Sequence, residues 1–522
     1  MLTSPRWMAS QLGLPIPDSP HAVSACLPLW AHNIAYEEGD EAVIGRLQAA
    51  YPRFCLHPLV RELWQRVIRT SPTPEGSEGL LFPSRRTAER ALDYVRSRGG
   101  RSGRLVPVER QSIFGVSVAP EDFPRLREYW QHAGELISSR MAEQVLAGET
   151  ITFAESDQRR FVRQRVAACG RVSGEDVWLY TSGMAAAAAV WRAIRQSEPA
   201  APTVQFGFPY VDTLKLQQRF SPANCLFLPQ GSTAELDRLA AHLQESRIAA
   251  VFCETPANPL LTCCDLHRLR ELADRHGFVL VVDDTLSACL NLDVLPLADV
   301  VMTSLTKYFS GRGDVLAGSV TLNPRSPQAQ RLRAAISGEF EELLSDRDTE
   351  VLERNSRDME SRVSLINHNA VVLANRLANH PLVDRVWHPS LRPETAYERL
   401  RCREGGYGGL MSLVLRHPDA TTPRVFDALE VCKGPNLGTI FTLCCPYTIL
   451  AHYQELDFAE SCGVSRWLLR VSVGTEPIDE LWQRFQRALQ QCHHSSEPTA
   501  NGPSASESAS AHRISTETQS RN

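Results

Sequence analysis

Three short segments hold residue types that could do chemistry together. Ser182-Gly183-Met184 follows the apolar run Val177–Tyr180 and opens an Ala-rich stretch reaching about Arg195. A Ser-Gly turn entering a helix offers free backbone N–H groups and a positive dipole end, which suits a phosphate; alone, it equally serves as an N-cap. Asp283, with Asp284 beside it, follows the apolar run 278–282. A carboxylate there pairs with a cationic ring nitrogen or caps the next turn. Lys307 follows the run 299–304, inside L-T-K-Y-F-S-G-R-G-D. An ammonium directly after a buried strand is partly desolvated, which favours the neutral amine that imine chemistry needs; a lone lysine there is more often structural. Ser304 and Thr306 flank it with hydroxyls, and two glycines permit close backbone approach. In that order on one sheet, the set is what pyridoxal phosphate requires. The lysine forms the Schiff base, the aspartate keeps the pyridine nitrogen protonated, and the turn and hydroxyls anchor the phosphate.

These residues need a scaffold that brings strand ends together. The runs 177–180, 204–206, 225–228, 248–253, 278–282 and 299–304 are short and apolar. Between them lie amphipathic stretches. Leu236, Leu239, Ala240 and Leu243 follow a Ser232-x-x-Glu235 capping box, and Leu266, Leu269, Leu272 and Ala273 lie between Asp265 and Gly277. Apolar strands alternating with such helices predict an α/β domain whose mainly parallel sheet is covered on both faces. Ligands bind beyond the carboxyl ends of such strands. The stretch 467–473 reads as a further strand, with Trp467, Leu469, Val471 and Val473 on one face and Arg470 on the other. A guanidinium so placed suits bidentate capture of a carboxylate, or an internal salt bridge.

The chain has 522 residues, 22% charged and 43% hydrophobic, with a net charge of -5. That is ordinary globular composition with room for several domains. It argues against a broadly basic nucleic-acid binder or a membrane-surface protein. No apolar run is long enough to span a bilayer, and the N-terminus lacks a secretory signal pattern. Fourteen cysteines occur without a C-x-x-C or a zinc-finger spacing; they read as free, mostly buried thiols of a reducing compartment, with no metal site. Residues 96–104 read as a loop. The stretch 495–522, with eight serines, reads as a disordered tail.

Four motifs in order resemble the Cys/Met-metabolism family of pyridoxal-phosphate enzymes over roughly 51–476. They are S-G-M-A-A at 182–186, E-T-P-A-N-P at 254–259, V-V-D-D-T at 281–285, and S-L-T-K-Y-F-S-G-R-G-D-V-L-A-G at 304–318. The segments 19–43, 51–57, 80–95 and 433–459 are similar to the fungal type of cystathionine γ-synthase. The resemblance implies a type I, aspartate-aminotransferase-like fold: an N-terminal extension and dimer arm (1–145), a cofactor-binding large domain (146–375), a small α/β domain (376–494) and the tail (495–522). It implies that Lys307 is the Schiff-base lysine and proton shuttle, that Asp283 pairs with the pyridine nitrogen, and that Tyr210 is catalytic, stacking on the ring and assisting proton transfer. Ser182, Gly183, Met184, Ser304 and Thr306 would hold the phosphate, with Asn258 also at the cofactor. Arg470 and Asn436 would receive the substrate carboxylate. Tyr51 and Arg53 would reach the phosphate of a neighbouring subunit, which implies a homodimer or homotetramer in the cytoplasm.

The implied activity is γ-replacement on an O-acyl-L-homoserine, with cysteine giving cystathionine. Departures from the family pattern occur at Y-V-D-T (210–213), D-D-T (283–285) and N-L-G-T (436–439). They keep open a sulfide or carbon nucleophile. A β- or γ-lyase activity also stays open, as does a noncatalytic assembly role on the same fold. His452 and Tyr453 read as packing residues.

Overall fold

Runs of Val, Leu, Ile and Phe too short for helices form the strands. In the computed structural model, residues 4–49, 54–71, 74, 76–101, 103–221, 224–392 and 395–491 are described. Tyr51, Arg53 and the tail 495–522 lie outside them. The described residues form three sheets. The first is antiparallel, with β1 (Glu78–Phe82), β2 (Arg104–Pro107) and β3 (Phe114–Val118) in the order β1-β3-β2. The second has β4 (Val177–Tyr180), β5 (Thr203–Phe206), β6 (Cys225–Leu228), β7 (Ala250–Glu254), β8 (Val279–Asp283), β9 (Val300–Thr303) and β10 (Gly318–Leu322), ordered β4-β10-β9-β8-β7-β5-β6. Only β10 runs against its neighbours. The third has β11 (Val383–Trp387), β12 (Leu410–Leu415), β13 (Cys432–Lys433), β14 (Leu443–Pro446) and β15 (Leu469–Ser472), ordered β11-β12-β15-β14-β13.

The large sheet is buried on both faces, as expected from its apolar runs. Val279 and Val281 pack with the helix Gly183–Ser197, whereas Leu280 and Val282 pack with Leu236, Leu239, Leu266 and Leu269 on the other side. Period-two alternation within one strand thus feeds two cores. The helix Leu266–His276 opens where Asp265 accepts the Arg268 N–H (3.2 Å) and closes at Gly277. Ser232 caps its helix, but the capping box is displaced: Glu235 accepts from the Gly231 N–H (2.7 Å).

The N-terminal stretch holds more regular structure than the sequence reading assigned. Leu80 and Phe82 face the helices Arg85–Ser97 and Phe123–Ala133, while Leu81 faces Pro58–Thr70 and Ser139–Leu146. The expected loop at 96–104 is correspondingly shorter, because a helix runs through Ser97 and β2 starts at Arg104. Residues upstream lie across the rest of the chain. Val23 N–H donates to Gly313 O (2.9 Å) and Leu27 N–H to Lys433 O (3.0 Å). Lys433 is fully buried, and its ammonium donates to Pro28 O (3.1 Å), Asp427 O (3.1 Å) and Phe426 O.

Candidate active site

The carboxyl ends of β4, β5, β7, β8 and β9 open on one cavity with about 1410 Å³ of empty space, continuous with solvent. At the end of β9 the chain turns sharply, so that Lys307 N–H bonds Ser304 O (3.2 Å) and Gly311 N–H bonds Lys307 O (2.7 Å). The carbonyls exposed by this turn are held by a buried guanidinium. Arg362 donates to Tyr308 O (2.6 Å) and Phe309 O (3.2 Å). Gly311, at φ 68°, is required beside it, since a Cβ there would lie 2.1 Å from Arg362 Nη1. The turn leaves Lys307 in the cavity wall, 7% exposed, with Nζ donating to Asn436 Oδ1 (2.7 Å).

Ser182 caps the helix Gly183–Ser197. Its Oγ accepts from Ala185 N–H (3.0 Å) and donates to Gly134 O (2.8 Å). The reading as a cap therefore holds, and the helix end still faces the cavity through Gly183 and Met184. Gly183 permits the close approach of the lysine turn, because a Cβ would stand 2.8 Å from Ser304 Cβ. Thr306 lines the same wall, but its hydroxyl donates to Ala317 O (3.2 Å) and accepts from Ala317 N–H (3.1 Å). Its proton is committed to the backbone, so Ser304 is the freer hydroxyl.

Asp283 ends β8 in the cavity wall, where one oxygen accepts from Thr285 N–H (2.9 Å). Burial raises its pKa, opposed by the Thr285 bonds. Glu254, its cross-strand neighbour on β7, accepts from Tyr210 N–H (2.8 Å) and so fixes the start of the helix that presents Tyr210. Burial, and secondarily Asp283, push Glu254 well above the usual carboxylate range. Glu254 is buried and Asp283 half-buried beside it, so a cation arriving at this strand end would be stabilised by the pair.

The far wall comes from the C-terminal sheet. Arg470 on β15, 5% exposed, donates to Asn258 Oδ1 (3.3 Å) and Pro435 O, with its guanidinium 5.0 Å from the Tyr447 ring centre. Asn258 in turn donates to Tyr447 Oη (3.1 Å). Asn436, next to Pro435, is 2% exposed, and its Nδ2 has no hydrogen-bond partner among the described residues. One loop thus touches both the amine and the guanidinium.

The structure brings together Lys307, Asp283, Tyr210, Ser182, Gly183, Met184, Ser304, Thr306, Asn258, Arg470 and Asn436. Glu254 and Tyr447 were missed. Glu254 was legible as the first residue of E-T-P-A-N-P at a strand end; Tyr447 follows a strand too far along the chain for any spacing rule. The departures sort by direction. Asp212 is fully buried and accepts from His132 Nδ1 (2.9 Å) and Gln131 (3.4 Å), facing the N-terminal helices. Asp284 accepts from Thr303 Oγ1 and lines a separate small cavity with Cys169 and Cys289. Thr439 donates to Phe441 O (2.7 Å). Of these departures, Asn436 meets the amine. His452 packs on Phe208 and bonds Glu455 (3.0 Å), and Tyr453 bonds Glu38 (2.6 Å).

The donor set suits pyridoxal phosphate: an amine, a carboxyl raised by burial that a ring cation would restore, a helix end for phosphate, and an orphaned amide beside the lysine. Comparison with known proteins agrees. A family model described as Cys/Met metabolism PLP-dependent enzyme matches residues 156–490, and one described as fungal trans-sulfuration enzyme, N-terminal domain, matches 59–138. Cystathionine gamma-synthase of Neurospora crassa is 34% identical, over 92% of this chain and 98% of that protein. A cystathionine gamma-synthase-like protein of Aspergillus thermomutatus is 35% identical, over 92% and 94%. The solved cystathionine gamma synthase of Xanthomonas oryzae, in complex with cystathionine, superposes with a TM-score of 0.58 at 23% identity, covering 66% of this chain and 88% of that one. Sheet and site together define a pyridoxal-phosphate-dependent enzyme of the type I fold. The chain belongs to the Cys/Met metabolism PLP-dependent enzyme family.

All described cysteines are free thiols, most of them buried. No group of metal-ligating side chains occurs among the described residues, and none of their helices is long and apolar enough to cross a membrane.

Proposed function

We propose that this enzyme carries out γ-replacement on an O-acyl-L-homoserine with L-cysteine as nucleophile. A Cγ–S bond forms, the Cγ–O bond breaks, and the thiol proton leaves with the acyl carboxylate, giving cystathionine. The observation that carries this reading is the loop Pro435–Asn436, which meets the Arg470 guanidinium on one side and Lys307 Nζ on the other. An α-amino acid held by its carboxylate at Arg470 and Asn258 then has its Cα on the side of the amine. When bound, pyridoxal phosphate supplies stabilisation of negative charge on the carbons next to the amino group.

The chain supplies the rest. Lys307 Nζ takes and returns protons at the substrate carbons, and the Asn436 amide holds the amine in place between transfers. Asp283 Oδ atoms hold a proton-bearing ring nitrogen by charge. The helix end at Ser182, Gly183 and Met184, with the Ser304 hydroxyl, receives the phosphate, and Thr306 braces the same wall through Ala317. Tyr210 forms a flat wall set by Glu254. Tyr51 and Arg53 complete a neighbouring subunit's site, so the working form is a homo-oligomer acting on small amino acids. The free thiols suit a cytoplasmic setting. Of the departures that keep another nucleophile open, Asp212 bonds His132 and Asp284 lines a separate cavity, whereas Asn436 meets the lysine, so the nucleophile assay below reads its effect.

The test uses the full chain loaded with cofactor. O-acetyl- or O-succinyl-homoserine is supplied with cysteine, sulfide or a β-keto acid separately, and products are identified by mass spectrometry. Cystathionine as the main product is expected. A 2-oxo acid and ammonia formed without any nucleophile, or a product only with the other partners, would sink the proposal. Lys307→Ala is expected to lose the visible cofactor band and about 10²–10⁴-fold or more of turnover.

A further inference from the structure

The N-terminal segment does more than cover the cavity: Leu27, Tyr36, Leu47 and Phe54 form its outer wall, facing Leu450 and Ala451. In that apolar wall stands one acid, Glu37, at the end of the helix Trp30–Glu37. The other carboxyls of the cavity are engaged, Glu254 by Tyr210 N–H (2.8 Å) and Asp283 by Thr285 N–H (2.9 Å). Glu37 has no side-chain hydrogen bond or ion pair among the described residues.

We infer that Glu37 is the subsite for the ammonium group of the incoming nucleophile, so that the second substrate is a thiol bearing an amine. The inference rests on the γ-replacement reading. Arg470, Asn258 and Lys307 account for the first amino acid at the inner end. A second amino acid entering afterwards finds aliphatic and aromatic side chains and a single carboxylate. An unpaired carboxylate in an apolar wall is costly to hold ionised, and a cation arriving beside it removes that cost. Burial alone pushes the Glu37 carboxyl up to about 8, the behaviour of a group whose counter-charge is brought by a ligand. The segment carrying it is tied to the catalytic turn through Val23 and Gly313 and to the C-terminal sheet through Leu27 and Lys433, so the acid is held by the same frame as the amine.

Two thiols with the same two-carbon spacer and opposite charge test the subsite: cysteamine, with an ammonium two carbons from sulfur, and 3-mercaptopropionate, with a carboxylate there. For the cofactor-loaded enzyme with an acylhomoserine, kcat/KM is expected to favour cysteamine by about tenfold or more. Glu37→Gln should collapse that ratio by about tenfold and raise KM for L-cysteine similarly, while Glu37→Asp retains the preference. The ratio is the readout, so a general loss of fold or cofactor cancels. An unchanged ratio in Glu37→Gln, with thioether still formed, overturns the subsite and leaves γ-replacement standing. A wild-type enzyme that joins no thiol to the acylhomoserine overturns the γ-replacement reading, and the subsite with it.

Discussion

Asp283 and Asp284 are neighbours in sequence with opposite fates. Successive side chains at a strand end point to opposite faces, so the first enters the active cavity and the second goes behind β9 to Thr303. Burial, with a smaller push from Asp283, raises the Asp284 carboxyl to about 7. A carboxyl whose folded pKa lies above its unfolded one stabilises nothing when ionised. Its cost is absent below about pH 4, grows as pH rises, and is complete above about 7. Asp284→Asn keeps an oxygen for the Thr303 hydroxyl and cannot ionise. It is expected to match the wild type near pH 4 and to be more stable at pH 8, by about 1–3 kcal/mol. Calorimetric unfolding at both pH values checks the sign; a variant less stable at pH 8 would refute the assignment. The strand-end carboxylate at 283 was legible in the sequence because it follows an unbroken apolar run. The role of its neighbour was not, since two adjacent acids carry no mark of which face each takes.

At the scale of elements, the large sheet was readable because each strand is a short apolar run separated from the next by a capped amphipathic helix. The observed strands shift from the expected ones by one or two residues, as at β7 and β9. The N-terminal sheet was less readable, because β1 divides its few apolar side chains between two cores and its pattern is too brief for a period to emerge. The lysine turn lies between these cases. Its glycines were visible, but the reason for Gly311 was not: Arg362, about fifty residues later, fills the space where a side chain would stand. Gly311→Ala puts a methyl group against that guanidinium at a left-handed φ, in a turn whose carbonyls depend on it. An expected loss of about 2–4 kcal/mol of stability should come with reduced borohydride-fixable cofactor at Lys307, because the same turn aims the amine. Peptide mapping after reduction reads the second effect apart from the first. Full labelling in a destabilised variant would show that the turn is not what orients the lysine.

For the whole molecule, the cavity draws on three distant parts of the described chain: the N-terminal segment at Glu37, the large sheet at Asp283 and Lys307, and the C-terminal sheet at Arg470. Tyr51 and Arg53, proposed to reach a neighbouring subunit's phosphate, would extend that sharing across molecules. If a site takes Lys307 from one chain and Arg53 from another, two inactive variants must restore each other. In a mixed dimer of Lys307→Ala and Arg53→Ala, one site has both defects and the other has neither. Random pairing at equal amounts makes about half of the dimers mixed, so about a quarter of the wild-type activity should return, whether or not dimers pair further into tetramers. Co-refolding or co-expression of the two variants, with each alone as control, measures this directly. Recovery depends on chain exchange and not on stability, since neither substitution is expected to repair the other within one chain. Activity that stays at the sum of the two single variants, despite mixed oligomers seen by native mass spectrometry, would place Lys307 and Arg53 of each site in the same chain and remove the reason for a shared site.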